Sequence, residues 1–320
     1  MLVVGDANPD LLLTGDTVPR FGQAEQLLDG ADLVLGGSAG IVAAGLAALG
    51  IRTALAAVVG RDQFGSFVVE KLQQANVLTS FVTESDDLAT GVSVVLSQPH
   101  DRAILTLPGT IPTLTAAAVR AAVQACQPRH VHVASYYLQP SLTAELPALL
   151  TWLGERDVSV SLDTNWDPAG AWTGLEHILR SVTFFMPNRE EALAIASVHA
   201  GRPIAELDEA GVLLSQLGCR VVVKSGADGG YAYENGVRSG HAPGLTLDVV
   251  DTTGAGDSFD AGYLAAVLSG VEPEHIRLRW ATVAGSLSVR DIGGTGAQAT
   301  ADDIRRSIAR REFAGHARAT

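Results

Sequence analysis

The chain is poor in positive charge and in cysteine. It carries 22 Lys and Arg residues against 35 Asp and Glu residues, for a net charge of −13. A surface of that sign repels nucleic acid and anionic membranes, so small molecules are the expected ligands. The two cysteines, Cys126 and Cys219, have no CxxC spacing and predict two buried thiols in a reducing compartment. We therefore expect a cytoplasmic protein.

The sequence also lacks a targeting segment and an uninterrupted apolar run of membrane length. The opening "MLVVGDANPD" has neither the basic region nor the cleavage site of a signal peptide, and it predicts a strand from residue 2. The most apolar stretch, residues 41–60, contains Arg52 together with Gly45 and Gly50. A helix over 38–49 followed by a strand over 53–59 explains it better than a membrane span.

Short apolar runs of strand character alternate with longer segments of helical character. The patterns predict strands over 2–5, 53–59, 130–134, 158–162, 182–186 and 220–224. They predict helices over 38–49, 64–75, 115–125, 142–154, 189–196, 207–217, 257–268, 274–290 and 301–311. This alternation is typical of an α/β fold with a mostly parallel central sheet and helices on both faces.

Two segments interrupt the alternation. Residues 10–36 carry turn residues and short β runs, and residues 90–107 predict a hairpin around "QPHDR". Together they predict a small β lid over the main sheet. Because no linker separates independent units, residues 1–320 are expected to form one domain. A lid with exposed strand edges favours pairing with a second copy, and hence a homodimer.

The stretch "DTTGAGDSFDAG", residues 251–262, places a glycine turn between a predicted strand over 247–250 and a predicted helix. Gly254 and Gly256 allow a tight turn whose N–H groups, with the helix dipole, can hold an oxyanion such as a transferring phosphoryl group. Asp257 would reach the same point as a general base. The helix N-terminus would favour its ionised form at neutral pH.

Other interpretations of this stretch are open. An Asp in a first helical turn is common for reasons of the helix dipole alone. The spacing is not a Walker A motif, since no Gly-Lys-Ser/Thr follows, and it is not GxGxxG, since Phe259 takes the third glycine place. A dehydrogenase would carry a glycine fingerprint after the first strand, and "GDANPD" is not one.

"DTTGAGDSFDAGYLAA" closely resembles the C-terminal signature of the ribokinase-like (PfkB) carbohydrate kinases, and the similarity extends over nearly the full chain. "VVGDANPDLLL" resembles the first strand with its substrate-binding polar pair, Asn8 and Asp10. "LGGSAG" at 35–40 is similar to the glycine pair that opens the substrate pocket. "MPNREEA" at 186–192 carries the family's Asn-x-x-Glu, while "VVVKSGADGG" at 221–230 and "GGTGAQ" at 293–298 resemble stretches near the nucleotide.

The resemblance implies a ribokinase-like fold and ATP-dependent phosphorylation of a hydroxyl on a sugar or sugar-like molecule, with Mg²⁺ and K⁺ as ions. It gives Asp257 the role of base, and the anion hole is Gly254, Ala255 and Gly256. The implied acceptor site is Asn8, Asp10, Gly36, Gly37, Ser38 and Asp251. The implied nucleotide site is Asn188, Glu191, Lys224, Ser225, Gly226, Gly229, Thr253 and Gly256. Glu191 would hold Mg²⁺ through water, and Asp251 would contact the acceptor or K⁺.

The chain departs from the family at Ile41, where many of its sugar kinases have Asn. Isoleucine cannot hydrogen-bond, so one expected sugar contact is missing and ribose and fructose are in doubt. A phosphorylated acceptor would need a cation, for which Arg20 and Arg102 of the lid are candidates. A nucleoside kinase is the nearest alternative, but the lid offers only Phe21 for stacking. A non-catalytic sugar or nucleotide sensor is a third, although Asp257 is intact.

Four further residues follow predicted strand ends and are expected near the site. Asp163 and Asn165 lie in "SLDTNWDP", which resembles the family's strand end near the phosphates. Tyr136 and Tyr137 either line the acceptor pocket or pack in the core.

Overall fold

The computed structural model describes residues 1–23, 25–98 and 102–316, with the backbone alone over 310–316. Its strands are β1 (Leu2–Val4), β2 (Asn8–Gly15), β3 (Leu28–Gly36), β4 (Ala54–Gly60), β5 (Leu78–Ser85), β6 (Val92–Ser97), β7 (Arg102–Leu107), β8 (His130–Val133), β9 (Ser159–Leu162), β10 (Phe184–Phe185), β11 (Arg220–Lys224), β12 (Gly230–Glu234) and β13 (Val237–Ala242).

The helices are α1 (Ser38–Ala48), α2 (Gln63–Gln74), α3 (Ala116–Cys126), α4 (Pro140–Thr143), α5 (Leu146–Gly154), α6 (Glu176–Leu179), α7 (Arg189–Ala200), α8 (Leu207–Ser215), α9 (Ala255–Leu268), α10 (Glu274–Ser288) and α11 (Ala301–His316). Among the described residues, no helix is long and apolar enough to cross a membrane.

The larger sheet has nine strands in the order β13-β12-β11-β10-β9-β8-β1-β4-β5. The neighbours from β11 to β5 pair in parallel, whereas β12 and β13 add an antiparallel hairpin at one edge. Helices α3 and α5 to α8 cover one face, and α1, α2, α9, α10 and α11 cover the other. The predicted α/β architecture with a mostly parallel sheet is confirmed. Burial on both faces explains why β1 and the middle of β11 are runs of valine and leucine.

The two segments that interrupt the alternation form a second sheet of four strands, ordered β3-β2-β6-β7. β2 pairs antiparallel with β3 and parallel with β6, and β6 pairs antiparallel with β7. The tip of the predicted 90–107 hairpin, at 99–101, lies outside the described residues. We refer to this four-stranded sheet as the small sheet; its action as a lid stays a prediction.

Three local expectations were wrong. Residues 247–250 do not form a strand; the Val250 N–H donates to the Val289 carbonyl at 2.8 Å, beyond the end of α10. The predicted helix over 142–154 is divided into α4 and α5, with Pro147 in the first turn of α5. The sequence reasoning also missed three strands of the large sheet, namely β5, β12 and β13.

The carboxyl ends of five parallel strands meet at one edge of the large sheet. Asp6 follows β1, Ser135 follows β8 and Asp163 follows β9. Asn188 follows β10 and forms a bridge beside Lys224, the last residue of β11. In open α/β sheets this edge is where ligands bind, and α9 begins beside it.

Candidate active site

The glycine turn of residues 254–256 opens α9 at this edge. Gly254 has φ +70°, and a Cβ there would stand 2.5 Å from the Cα of Gly294. The helix's own bonding begins with the Ser258 N–H, which donates to the Gly254 carbonyl at 2.9 Å. The N–H groups of Gly256 and Asp257 therefore precede that bonding and are oriented as donors at the helix N-terminus. Ala255 donates its N–H to Thr252 at 3.3 Å.

Asp257 lies in the first turn of α9, where its carboxylate accepts a short hydrogen bond from the Ser38 hydroxyl. Burial and the nearby Asp163 carboxylate raise the pKa of Asp257 to about 7. The expectation that it is ionised at neutral pH therefore holds only in part, because burial favours the neutral form. A base with a pKa near the working pH is well matched to accepting a proton from a hydroxyl.

Asp6 fixes the segment that carries Ser38. Its carboxylate accepts from the backbone N–H groups of Ser38 at 3.2 Å and Ala39 at 3.3 Å, and from the Ser135 hydroxyl at 2.7 Å. Asp6 thus ties the carboxyl ends of β1 and β8 to the N-terminus of α1. This connection places the Ser38 hydroxyl on Asp257.

Asn8 and Asp10 are brought together as predicted, at the start of β2. The Asn8 amide donates to Asp10 at 2.9 Å, and both side chains are buried. Burial, followed by repulsion from Asp6 and Asp257, raises the pKa of Asp10 to about 7. A Cβ on Gly36 would stand 2.1 Å from the Asp10 carboxyl carbon, so only glycine leaves room for this side chain.

Gly37 has φ +76° and lies between β3 and α1. A Cβ there would be 2.7 Å from the Asp6 carbonyl oxygen and 2.8 Å from the Ala7 Cα. The second glycine of the pair therefore allows the chain to turn from the small sheet into α1 while passing close to the end of β1.

A polar row crosses one face of the small sheet. The strand register places Asp10 opposite Ser93, and Ser93 opposite Thr106. The Ser93 and Thr106 hydroxyls are 3.1 Å apart, and the Asn8 amide donates to Ser93 at 3.4 Å. Arg102 lies on the same face of β7 as Thr106, since the two are four residues apart. This face therefore offers hydroxyl, amide and carboxyl groups beside Asp257.

Arg102 connects the small sheet to the glycine turn. Its guanidinium donates to the hydroxyls of Thr253 at 3.0 Å and Thr252 at 3.3 Å. The other predicted cation, Arg20, has a side chain that is 61% exposed and pairs with Asp16. Of the two candidates, the structure places only Arg102 at the site.

Asn188 and Glu191 form a capping box at the start of α7. The Glu191 N–H donates to the Asn188 side chain at 2.9 Å, and the Asn188 N–H donates to the Glu191 carboxylate at 2.9 Å. Burial and the nearby Asp163 raise the pKa of Glu191 to about 7. Both residues also line a cavity of about 570 Å³ together with Asp163, Asp257 and others. The capping role and a role at the site are therefore compatible.

A second, more apolar cavity of about 380 Å³ adjoins the first. The two share part of their walls, namely Lys224, Ser225, Gly226, Thr252 and Gly256. The far wall is apolar, with Leu245, Leu247, Val249, Phe259 and Val289, and Gly229 lies beside it. The chain over 247–250, expected to be a strand, instead supplies this wall.

Asp251 and Thr253 are adjacent and bonded to each other. One Asp251 oxygen accepts from the Thr253 N–H at 2.9 Å and hydroxyl at 2.8 Å, and the other accepts from the Gly293 N–H at 2.9 Å. Asp251 thereby joins the glycine turn to the late glycine stretch. It is Thr252, rather than the predicted Thr253, that lines both cavities.

Ile41 packs beneath the glycine turn and is 3% exposed. Its side chain lies against Gly254 and Gly294, with Cδ1 2.4 Å from the position that a Gly294 Cβ would take. An apolar side chain therefore fills the space between the two glycine segments. The polar row of the small sheet offers hydrogen-bonding groups that Ile41 cannot.

The supporting residues divide into two groups. Asn165 donates its side-chain amide to Ser135 at 2.8 Å and its N–H to Asp163 at 3.2 Å, so both follow the predicted strand end into the site. Tyr136 and Tyr137 instead pack edge to face, with ring centroids 5.0 Å apart. Of the two interpretations left open for these tyrosines, the packing role is the one that the structure shows.

The model of the pfkB family of carbohydrate kinases matches residues 1–301. The chain belongs to this family. Among curated relatives, a Bacillus subtilis ribokinase is 25% identical over 303 residues, covering 94% of this chain and 97% of the relative. An uncharacterized sugar kinase of Archaeoglobus fulgidus is 30% identical over 231 residues, covering 72% and 88%. As a member of the family, the protein is an ATP-dependent carbohydrate kinase.

Solved structures confirm the ribokinase-like fold. Arabidopsis thaliana ribokinase, complexed with ribose and ATP, matches with a TM-score of 0.81 at 24% identity, over 95% of this chain and 97% of that one. A putative ribokinase II from E. coli, in complex with ATP and Mg²⁺, matches with a TM-score of 0.82 at 20% identity, over 97% and 98%.

The PfkB site fits a hydrated magnesium–nucleotide complex. In the described residues, no group of three or more His, Cys, Asp and Glu side chains forms a direct metal cage. The carboxylate-lined cavity nevertheless has room for water, and Glu191 on its wall would hold a hydrated Mg²⁺. The adjoining apolar cavity has the size and lining expected for a base.

The sequence reasoning missed four residues of this PfkB site. They are Asp6, Ser93, Thr106 and Asp260, the last of which pairs with Lys224 at 3.0 Å. Asp6 lies in "VVGDANPDLLL" and Asp260 in "DTTGAGDSFDAGYLAA". A carboxylate directly after a buried strand or within an apolar helix was a usable signal of a functional role. Ser93 and Thr106 occupy alternate positions on their strands, so the period of two could have placed them on one face with Arg102.

Proposed function

We propose that this protein transfers the γ-phosphoryl group of Mg-ATP to a hydroxyl of a neutral sugar, with Asp257 as the base. The observation that carries the proposal is the position of Asp257. It stands on the glycine turn, on the wall of the carboxylate-lined cavity, and bonded to Ser38 beside the buried Asn8–Asp10 pair.

The chemistry follows from this placement. The acceptor oxygen attacks the γ-phosphorus, its proton passes to the Asp257 carboxylate, and the bond to the β–γ bridging oxygen breaks to release ADP. The N–H groups of Gly256 and Asp257, at the N-terminus of α9, stabilise the negative oxygens of the transferring group. The Arg102 guanidinium, on the same cavity wall, adds a positive charge beside them.

The nucleotide occupies the two adjoining cavities. Its base lies in the apolar one against Phe259 and Val289, and its phosphates reach past Ser225 and Gly226. Glu191 would hold Mg²⁺ through water, as suits an ion that keeps its hydration shell, and the ion would neutralise phosphate charge. K⁺ near Asp251 stays a prediction, and activity in KCl compared with choline chloride tests it.

A neutral acceptor is favoured by the charges around the hydroxyl-binding groups. Asp6, Asp10 and Asp257 repel one another enough to contribute to the raised pKa of Asp10. A carboxylate or phosphate on the acceptor would add to this repulsion. Arg102, the cation that the small sheet contributes to the site, donates to Thr252 and Thr253 on the side of the transferring group. Hydroxyl groups of a neutral sugar match the Asp10–Ser93–Thr106 row instead.

The test is ADP release with Mg-ATP against neutral sugars, sugar acids, phosphosugars and nucleosides. Asp257→Asn should reduce kcat by roughly 10²- to 10⁴-fold, the usual contribution of a general base, while binding of ATP persists. Asp62→Asn is the matched control, because Asp62 caps the N-terminus of α2, where its carboxylate accepts from the Gly65 N–H at 2.8 Å. This control should keep full turnover.

The outcomes separate the alternatives. Turnover of a neutral sugar that Asp257→Asn abolishes supports the proposal. Turnover of a nucleoside or an anionic acceptor contradicts the assigned acceptor class. Binding of ATP without turnover of any acceptor would point to a sensor. Undiminished turnover by Asp257→Asn would show that Asp257 is not the base.

We also propose that the partner on the outer face of the small sheet is a second copy of this chain. The register aligns Leu33, Leu11, Val94 and Leu105 in one row across all four strands, on the face opposite Asp10. Leu33 is 41% exposed and Leu105 60% exposed. An apolar sheet face of this kind, continuous with the exposed edge strand β7, is suited to a symmetric pairing.

Light scattering after size exclusion tests the pairing. Leu105→Lys should convert a dimer to a monomer, whereas Leu88→Lys, at a residue 45% exposed outside the small sheet, should not. A wild-type protein that is monomeric at assay concentration would exclude the homodimer. The cytoplasmic location stays a prediction; Cys126 and Cys219 are free thiols, of which Cys219 is buried and Cys126 half-buried.

A further inference from the structure

A buried ion cluster lies directly under the glycine turn. The Lys224 ammonium donates to Asp163 at 2.8 Å and to Asp260 at 3.0 Å. The side chains are 10%, 1% and 0% exposed, respectively. Such a cluster is expensive to form from hydrated ions, so it is weak evidence for stability and calls for another role.

The cluster joins three elements at the point where Asp257 stands. Lys224 ends β11, Asp163 follows β9, and Asp260 lies on α9 one turn after Asp257. A Cβ on Gly256 would stand 3.5 Å from the Lys224 Cδ and 3.9 Å from its Nζ. The lysine side chain therefore packs against the glycine turn from below.

Both charged partners of the ammonium belong to the protein. An ammonium group that binds phosphate usually projects into the site, as the P-loop lysine does. Lys224 lines both cavities but directs its Nζ at two buried carboxylates. We propose that Lys224 is a positioning residue that acts on Asp257 through the Asp163–Lys224–Asp260 cluster and does not bind phosphate. This inference rests on the proposed role of Asp257 as the base.

The charged groups that face Asp257 determine the direction in which its pKa should change in each variant. After burial, the Asp163 carboxylate raises the pKa of Asp257, and the Lys224 ammonium lowers it. Ser38 of α1 donates a hydrogen bond that lowers it, and Asp6 raises it. Two more carboxyls nearby, Asp10 of β2 and Glu191 of α7, interact with Asp257 electrostatically. Removing Lys224 and removing Asp163 should therefore move the titration of Asp257 in opposite directions.

The experiment compares Lys224→Met with Asp163→Asn. If the pKa of Asp257 rises by about one unit in Lys224→Met, the ionised fraction at pH 7 falls about fivefold. The acid limb of kcat should move to higher pH in Lys224→Met, with turnover largely recovered at pH 9, and to lower pH in Asp163→Asn. The Kd for Mg-ATP, measured by calorimetry without an acceptor, should stay within about twofold of the wild type.

Arg220→Met is the matched control. Arg220 lies four residues before Lys224 on β11 and is likewise held between two carboxylates, Glu234 at 2.8 Å and Glu274 at 2.9 Å. It lies at the opposite end of the strand from the site. Its loss should reduce stability without moving the acid limb. Lys224→Arg, which keeps the charge, should retain more activity at pH 7 than Lys224→Met.

Each result decides the inference. A rise of tenfold or more in the Kd for Mg-ATP would make Lys224 a phosphate ligand and overturn it. The same displacement of the acid limb in Lys224→Met and Asp163→Asn, or in Arg220→Met, would show a merely structural role and also overturn it. Full turnover by Asp257→Asn would defeat the proposed function itself. The calorimetric result for Lys224→Met would still stand by itself, because it needs neither Asp257 nor an acceptor.

Discussion

Gly254→Ala should damage both the stability and the chemistry of this kinase, because Gly254 meets two separate demands. Its φ of +70° lies in the left-handed region. Its missing side chain also leaves room for the late glycine stretch, since a Cβ would be 2.5 Å from the Gly294 Cα and 3.1 Å from the Ile41 Cγ2. Neither neighbour is the end of a flexible side chain in open solvent, so backbone must move.

The expected loss in the free energy of unfolding is the sum of the costs of these two demands. Left-handed backbone costs a non-glycine residue about 1–2 kcal/mol. Forcing extra volume into a packed site costs a further ~1–3 kcal/mol. The free energy of unfolding should therefore fall by roughly 2–5 kcal/mol in Gly254→Ala. Because relief of the clash displaces the turn that carries the Gly256 and Asp257 N–H groups, kcat should fall as well.

Gly270→Ala, at the other end of α9, isolates the first demand, the left-handed backbone. Gly270 has φ +71°, and no described atom outside its immediate chain neighbours lies within 4 Å of the position that a Cβ would take. It should lose only the backbone contribution of about 1–2 kcal/mol and keep full turnover. Urea unfolding and the ADP-release assay measure both quantities. Equal losses of stability in the two variants, or normal kcat in Gly254→Ala, would refute the reasoning.

The glycine turn and the helix that follows it were predictable because their signals are local. Gly254, Gly256 and Asp257 stand within four residues, and the following apolar run predicts the helix. The meeting of Asp163, Asn188 and Lys224 was also predictable, because parallel strands bring their carboxyl ends to one edge.

The ionisation of Asp257 was not predictable in this way. Its helix position alone indicates a low pKa, whereas burial and Asp163 raise it to about 7. Asp163 and Ser38 lie far from Asp257 in sequence, and no local pattern reports their proximity. For Lys224 the resemblance implied a nucleotide contact. Only the packing of β9 and α9 around it shows a buried ion cluster with Asp163 and Asp260.

The prediction of secondary structure failed where one sequence pattern is compatible with two structures. The apolar residues of 247–250 suit a strand, yet two of them, Leu247 and Val249, line a cavity. The β12–β13 hairpin had a recognisable signal, since Asn235 and Gly236, both with positive φ, form the Asn-Gly pair typical of tight β turns.

Three further predictions concern the acceptor, the departure at Ile41 and pH. Gly36→Ala should displace the Asp10 carboxyl and raise KM for the acceptor at least ~10-fold, with KM for ATP unchanged. The reason is that buried polar contacts dominate the recognition of substrate hydroxyl groups. An unchanged KM for the acceptor would contradict this prediction. Ile41→Asn should lower the free energy of unfolding in urea by about 1–3 kcal/mol, because it buries an unpaired amide. The control Ile41→Val should lower it by about 1 kcal/mol, and equal losses in the two variants would contradict the prediction. Activity should fall as pH drops through about 7, where Asp257 gains its proton. The stability of the ligand-free protein should change in the opposite sense, because a carboxyl whose pKa is raised on folding stabilises the fold fully below its unfolded pKa and loses that contribution as pH rises through its folded pKa. Asp257→Asn should therefore raise Tm more at pH 8 than at pH 4.5, and an equal gain at both would show that Asp257 is not held near neutrality by burial.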